Sequence, residues 1–196
     1  MRPAVGTDFM TLAVADRLAL ADLVHLYAAA VDDRRFDDVA QLFTETAELR
    51  LPDPPRVLTP VRHLHGRDGV RAAMSALSDV ERTEHAIVGE VYAETADRAY
   101  ALGRITCIAH HWSVADREVT DVVWHLRYDD EYQHTPAGWR IHGRALTVNA
   151  IDVGPTRVLR RQQPSTDRVR DADPRAASPG PPPPETMPPG RSRGTP

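Results

Sequence analysis

The chain has 196 residues, 41% of them hydrophobic, enough for one ordinary domain with its own core plus an appendage. Net charge is −4, and all 24 basic residues are arginines scattered among 28 acids, which leaves no basic stripe of the kind that grips nucleic-acid phosphates. One cysteine excludes an internal disulfide, no apolar run approaches the ~18 residues of a membrane span, and the N-terminus lacks signal-peptide form, so a cytoplasmic protein with neither nucleic-acid nor membrane partners is expected.

Residues 1–10 read as a flexible arm, with a helix starting near residues 11–16. Leu20, Leu23, Val24, Tyr27, Ala28 and Val31 then recur at helical spacing, which makes one apolar stripe with Tyr27 on the buried face. The helix runs out at Asp32 and Asp33, where the macrodipole disfavours negative charge by a few tenths to ~1 kcal/mol. Either Arg34 and Arg35 neutralise the pair in solvent, or Asp32 turns inward to orient a histidine. Residues 36–43 are expected to form a short helix capped by Asp37 or Asp38, with Val39, Leu42 and Phe43 inward. A strand at 46–51 follows, and Pro52, Pro54, Pro55 and Pro60 point to a loop or irregular edge after it. His63 and His65 share a strand face with no third metal ligand nearby, which makes them a solvated pair. A third helix after Gly66 takes Asp68 as N-cap and turns Val70, Met74 and Leu77 inward.

The second half reads as a meander. An apolar strand at 85–92 turns at 94–97 onto a long strand at 97–112, in which Tyr100, Ile105, Thr106 and Ile108 are β-formers and Cys107 is an inert buried thiol. That strand ends on His110 and His111, which alternation sends to opposite faces. His85 and His110 are expected to meet at one cavity. Residues 118–132 alternate, with Thr120, Val122, Trp124, Leu126 and Tyr128 on one face and Asp121, His125, Arg127 and Asp129 on the other. A hairpin loop at 133–138 leads to a last strand at 139–151 carrying His142 and Arg144. This is an α+β layout, helices on one face of a curved antiparallel sheet whose concave side makes a pocket. The domain is bounded at 11–154. From Pro155 the chain holds eleven of its seventeen prolines and few large apolar side chains, so 155–196 is expected to be a disordered Pro-rich tail.

Several strings resemble the SnoaL-like, scytalone-dehydratase-like branch of the nuclear transport factor 2-like superfamily. They are Leu-Val-His-Leu-Tyr-Ala-Ala-Ala-Val-Asp-Asp-Arg-Arg-Phe at 23–36, His-Gly-Arg-Asp-Gly-Val at 65–70, Thr-Glu-His at 83–85, Ile-Ala-His at 108–110 and Gly-Trp-Arg-Ile at 138–141. The resemblance spans about residues 12–151 and implies a cone-shaped barrel, a curved antiparallel sheet wrapped around helices. Such proteins include dehydratases, polyketide cyclases, ketosteroid-isomerase-like enzymes and non-catalytic subunits. In scytalone dehydratase an Asp ends the first helix, a His opens the strand after the third helix and a second His stands late in the next strand. Those places match Asp32, His85 and His110 here. The two tyrosines of that enzyme fall at Val31 and near Leu51, so Tyr27 is expected to supply the missing hydroxyl, and its later polar pair falls near Trp124 and Leu126.

The expected site is therefore an Asp32–His110 couple acting as general base, with His85 and Tyr27 polarising a carbonyl so that an enolate is stabilised as it forms. Trp124, Tyr128, Met74 and Phe43 are expected to hold a hydrophobic small-molecule substrate. No cofactor and no metal are implied; a two-His, one-carboxylate metal site is the lesser reading. The function expected is a lyase, isomerase or cyclase of dehydratase or polyketide-cyclase type, the alternative being a non-catalytic ligand-binding or subunit protein on the same fold. A homodimer is expected through the convex sheet face, with His111 and Val123 placed there.

Overall fold

The computed structural model describes residues 12–160, and the expected arm and nearly all of the expected tail lie outside them. Helix α1 (Val14–Asp32) is followed by α2 (Phe36–Gln41), strands β1 (Phe43–Asp53) and β2 (Val57–His65), helix α3 (Gly66–Ser75) with a short 3-10 turn (Ala76–Asp79), and four long strands. These are β3 (Arg82–Glu94), β4 (Tyr100–Ala115), β5 (Glu118–Thr135) and β6 (Gly138–Thr156). They build one curved sheet in the order β2-β1-β6-β5-β4-β3, open at β2 and β3. Among the described residues no helix is long and apolar enough to cross a membrane.

Each element follows from its sequence pattern. The stripe on α1 buries Leu20, Val24 and Val31 completely against the sheet. Its first turn has no side-chain cap; the Trp139 indole N–H donates to Asp16 at 2.9 Å instead and ties the helix start to β6. On β4 the inward row Ala101, Ile105, Cys107 and Ala109 is fully buried. Within that row a Cβ on Gly103 would come within 2.7 Å of the Tyr132 ring, so a side chain there would displace the core.

The structure corrects several expectations. The sheet is not antiparallel throughout: β1 runs parallel to β6, with Glu48 opposite Gly143. The two strands are separated by the rest of the sheet and α3, a crossover long enough to permit that direction. The proline-rich stretch after β1 still contains a strand, β2, because an edge strand needs no ladder N–H from Pro60 on its outer side. For the same reason β6 continues through Pro155 to Thr156, two residues past the expected boundary at 154, since β1 accompanies β6 only over residues 141–145. Neither Asp37, Asp38 nor Asp68 is an N-cap; α2 starts after Arg35 and α3 after His65, without side-chain caps. Arg71 instead gathers Asp37 and Asp68 at 2.9 and 2.7 Å.

Candidate active site

A cavity of about 200 Å³ opens between α1, α3 and the concave face of the sheet. Its chemistry begins at the end of α1. The Arg35 N–H bonds the Ala30 carbonyl at 2.8 Å and the Arg34 N–H bonds that of Val31 at 3.1 Å, the crossed pair of bonds that closes a helix on a left-handed residue. That residue is Arg34 (φ 61°) rather than glycine, a strain of about 1 kcal/mol. Its guanidinium donates to the Val80 carbonyl at 2.8 Å and so fastens the end of α1 to the chain entering β3.

This fastening sets Asp32 against His85, the fourth residue of β3. Asp32 Oδ1 lies 2.7 Å from His85 Nδ1, and its Oδ2 accepts the His85 backbone N–H at 2.8 Å. Burial pushes the Asp32 carboxyl up, but the hydrogen bonds and charge of His85 outweigh it and hold the group below the ordinary carboxylate value. An ionised Asp32 can only accept, so Nδ1 carries a proton, and in the neutral ring it is Nε2 that keeps the lone pair. The imidazole is 7% exposed.

A second imidazole, His111, stands edge-on to His85 at 6.1 Å and 4.9 Å from the Trp124 ring. Its Nδ1–H donates to the Val122 carbonyl at 3.1 Å, and burial depresses its pKa, so at neutral pH it presents a bare Nε2. Tyr27 and Tyr128, rings 6.0 Å apart, complete the polar lining; burial raises both phenols and keeps them protonated. Behind them the Arg144 guanidinium lies between the two rings, 4.1 and 4.2 Å from their centres. It grips Asp130 through two hydrogen bonds of 2.8 and 2.7 Å, and the Tyr132 hydroxyl donates to the same carboxylate at 2.7 Å. Both charged side chains are wholly buried, so this cluster is a rigid floor rather than a wall open to ligand.

Of the expected catalytic residues, His85 and Tyr27 line the cavity and Asp32 is bonded to His85; His110 does neither. His110 lies on the other face of β4, bonded through Nδ1 to Asp121 at 2.7 Å and stacked on Trp112 at 5.0 Å. The expected Asp32–His110 couple is thus replaced by two separate pairs, Asp32–His85 inside and His110–Asp121 outside. His111 takes the inner place and leaves the convex face where it was expected. The reason is parity: with Ile105, Cys107 and Ala109 inward, residue 111 is inward and 110 outward. Counting from Cys107, read from sequence as buried, would have found it. Trp124, Tyr128 and Met74 line the cavity as expected, whereas Phe43 is core, edge-on to Tyr27 at 6.1 Å. Arg62 of β2 also lines the cavity, and the sequence reading missed it. His63 turns outward onto Glu48 at 2.7 Å.

Known proteins share this fold. Rv2910c, an uncharacterized protein of Mycobacterium tuberculosis, is 29% identical over 138 residues, covering 68% of this chain and 86% of its own. Among solved structures, a candidate scytalone dehydratase of Novosphingobium aromaticivorans superposes with a TM-score of 0.61 at 18% identity, covering 77% of this chain and 93% of that one. The hexachlorocyclohexane dehydrochlorinase LinA-type3 of Novosphingobium barchaimii gives 0.59 at 16%, covering 74% and 93%. Identities this low establish a common fold and nothing finer. Residues 13–145, a span that takes in Asp32, His85 and His111, match the SnoaL-like domain, and the chain belongs to that family.

Proposed function

We propose that this protein is an enzyme that moves protons on a hydrophobic small molecule without a cofactor, as a dehydratase, isomerase or polyketide-cyclase-type catalyst, with the Asp32–His85 dyad as its general base. The observation that carries the reading is the 2.7 Å contact of Asp32 with His85 Nδ1, which leaves Nε2 as a base at the cavity wall. Nε2 takes a proton from the carbon next to a carbonyl, and the imidazolium so formed is stabilised by the ionised Asp32. The protonated phenols of Tyr27 and Tyr128 are the donors for the enolate oxygen, and His111 accepts from a substrate hydroxyl. The imidazolium then delivers its proton to a departing hydroxyl, which completes a dehydration, or to another carbon, which completes an isomerisation. If the enolate attacks a second carbonyl, the result is ring closure.

The test incubates the full chain with a panel of aryl and cyclic ketones in D2O and follows deuterium entering the α-position. Exchange should be catalysed by the wild type and fall at least about 100-fold in His85→Ala. Ketones that bind but exchange at the same rate with wild type and His85→Ala would leave a non-catalytic ligand-binding protein.

A further inference from the structure

Strand β2 is the edge of the sheet, and its inward row is Leu58, Pro60, Arg62 and Leu64. Leu58 and Leu64 pack on the core, and Arg62 pairs across β1 with Leu51, a residue of the cavity wall. An arginine therefore stands at a position where the period-two pattern calls for an apolar side chain, and it is the exposed member of a row whose other members are half-buried. It lines the cavity. Among the described residues Arg62, like Arg56, enters no ion pair, whereas Arg50, Arg67 and Arg71 each reach a carboxylate. The cavity wall holds no carboxylate, and Asp32 is taken by His85. Arg62 is thus the single permanent charge on a wall otherwise made of aliphatic groups, rings and two imidazoles.

From this placement we infer that the substrate carries a carboxylate, held by Arg62 at the β2 side of the cavity while the reacting carbon is presented to His85. The inference rests on the proton-transfer reading of the cavity and names the substrate class for it: a monoanionic acid on an aromatic or polyketide-like frame. One guanidinium offers two parallel N–H donors, the match for a carboxylate, whereas a phosphate dianion would call for a second cation that this wall lacks. The competing role for Arg62 is protection of the sheet edge, since inward-pointing charges on edge strands discourage pairing with another chain.

Binding separates these roles and does not depend on catalysis. The full chain is titrated calorimetrically at low salt with 2-naphthoate and with neutral 2-naphthamide, which has the same frame. Wild type should prefer the acid by about tenfold. The preference should vanish in Arg62→Gln, survive in part in Arg62→Lys, and remain complete in His85→Ala. A His85→Ala variant that keeps the preference while the wild type catalyses no exchange would sink the reaction reading and leave the carboxylate site standing. Equal affinity of wild type for both probes, binding of neither, or a preference that persists in Arg62→Gln overturns the carboxylate site. Self-association of Arg62→Gln in sedimentation, with the preference intact, would assign Arg62 to edge protection.

Discussion

Replacing Asp32 by Asn is the sharpest test of the dyad, because the shape is kept while one acceptor becomes a donor. The native carboxylate takes two N–H groups of the same residue, the ring Nδ1–H at 2.7 Å and the backbone N–H at 2.8 Å. An amide has only one oxygen to offer. If that oxygen stays on the backbone N–H, the NH2 faces Nδ1 and forces the ring proton onto Nε2, the nitrogen that must be bare to act as base. Deprotonation should slow by ~10² to 10⁴, equivalent to about 3–5 kcal/mol of barrier. The stability loss should be smaller, about 1–2 kcal/mol, because a single charged hydrogen bond is lost at a carboxylate that is 22% exposed. The sign with pH also follows. Asp32 titrates below its unfolded value of 3.8, so its contribution is present above that value and is lost as pH falls through the depressed folded one. Long-range 15N–1H spectra of the bare protein report which ring nitrogen holds the proton, and ketone exchange reports the rate. Adding Asp32→Asn to His85→Ala should slow exchange no further, since the two act as one unit. A variant with the native tautomer and a rate within about twofold of wild type would refute the argument.

His110→Ala should leave exchange unchanged and lower the urea midpoint by an amount worth about 1 kcal/mol, because Asp121 loses its partner on the outer face. Arg144→Met should cost about 3–5 kcal/mol in urea unfolding by stranding buried Asp130, and the double change Arg144→Met with Asp130→Leu should recover much of it. His111 titrates below its ordinary value of 6.5 because it is buried, so its contribution to stability is constant above that pH and falls below it, where the unfolded chain takes up the proton first. Urea midpoints of His111→Gln should accordingly change less than those of wild type between about pH 7.5 and about pH 5.

Much of this was legible in the sequence, and the failures have specific physical causes. The α1 stripe and the alternation along β5 are local patterns and appear as read, whereas the inward turn of Asp32 was one of two open alternatives and its partner is His85 rather than His110. The choice between His110 and His111 is a one-residue question of phase, and a one-residue slip reverses every face. Strand β2 is legible only at its end, where His63 and His65 share a strand face, because the prolines before them read equally as a loop or an irregular edge. With the first half of β2 unassigned, the inward row that makes Arg62 conspicuous could not be seen. The parallel seam between β1 and β6 leaves no local trace, since neither strand's composition names its partner. Phe43 was assigned to the cavity as an inward aromatic near the first helix, but burial alone does not separate a core residue from a lining one.

That parallel seam has a consequence for how the molecule assembles and comes apart. The strands from β3 to β6 are joined in succession by short turns, and β1 with β2 is a hairpin of its own, so each set pairs at little cost in loop entropy. Joining the two sets is the long-range step that topology makes slow. Asp32, Leu51, Arg62 and Met74 stand on one side of this division, and His85, His111 and Trp124 on the other, with the dyad itself linking residues 53 positions apart. The candidate site is therefore complete only once the two sets have joined. A chain whose seam frays would keep its hairpins and lose the candidate site, and a ligand bridging the cavity would clamp the joint between the two sets.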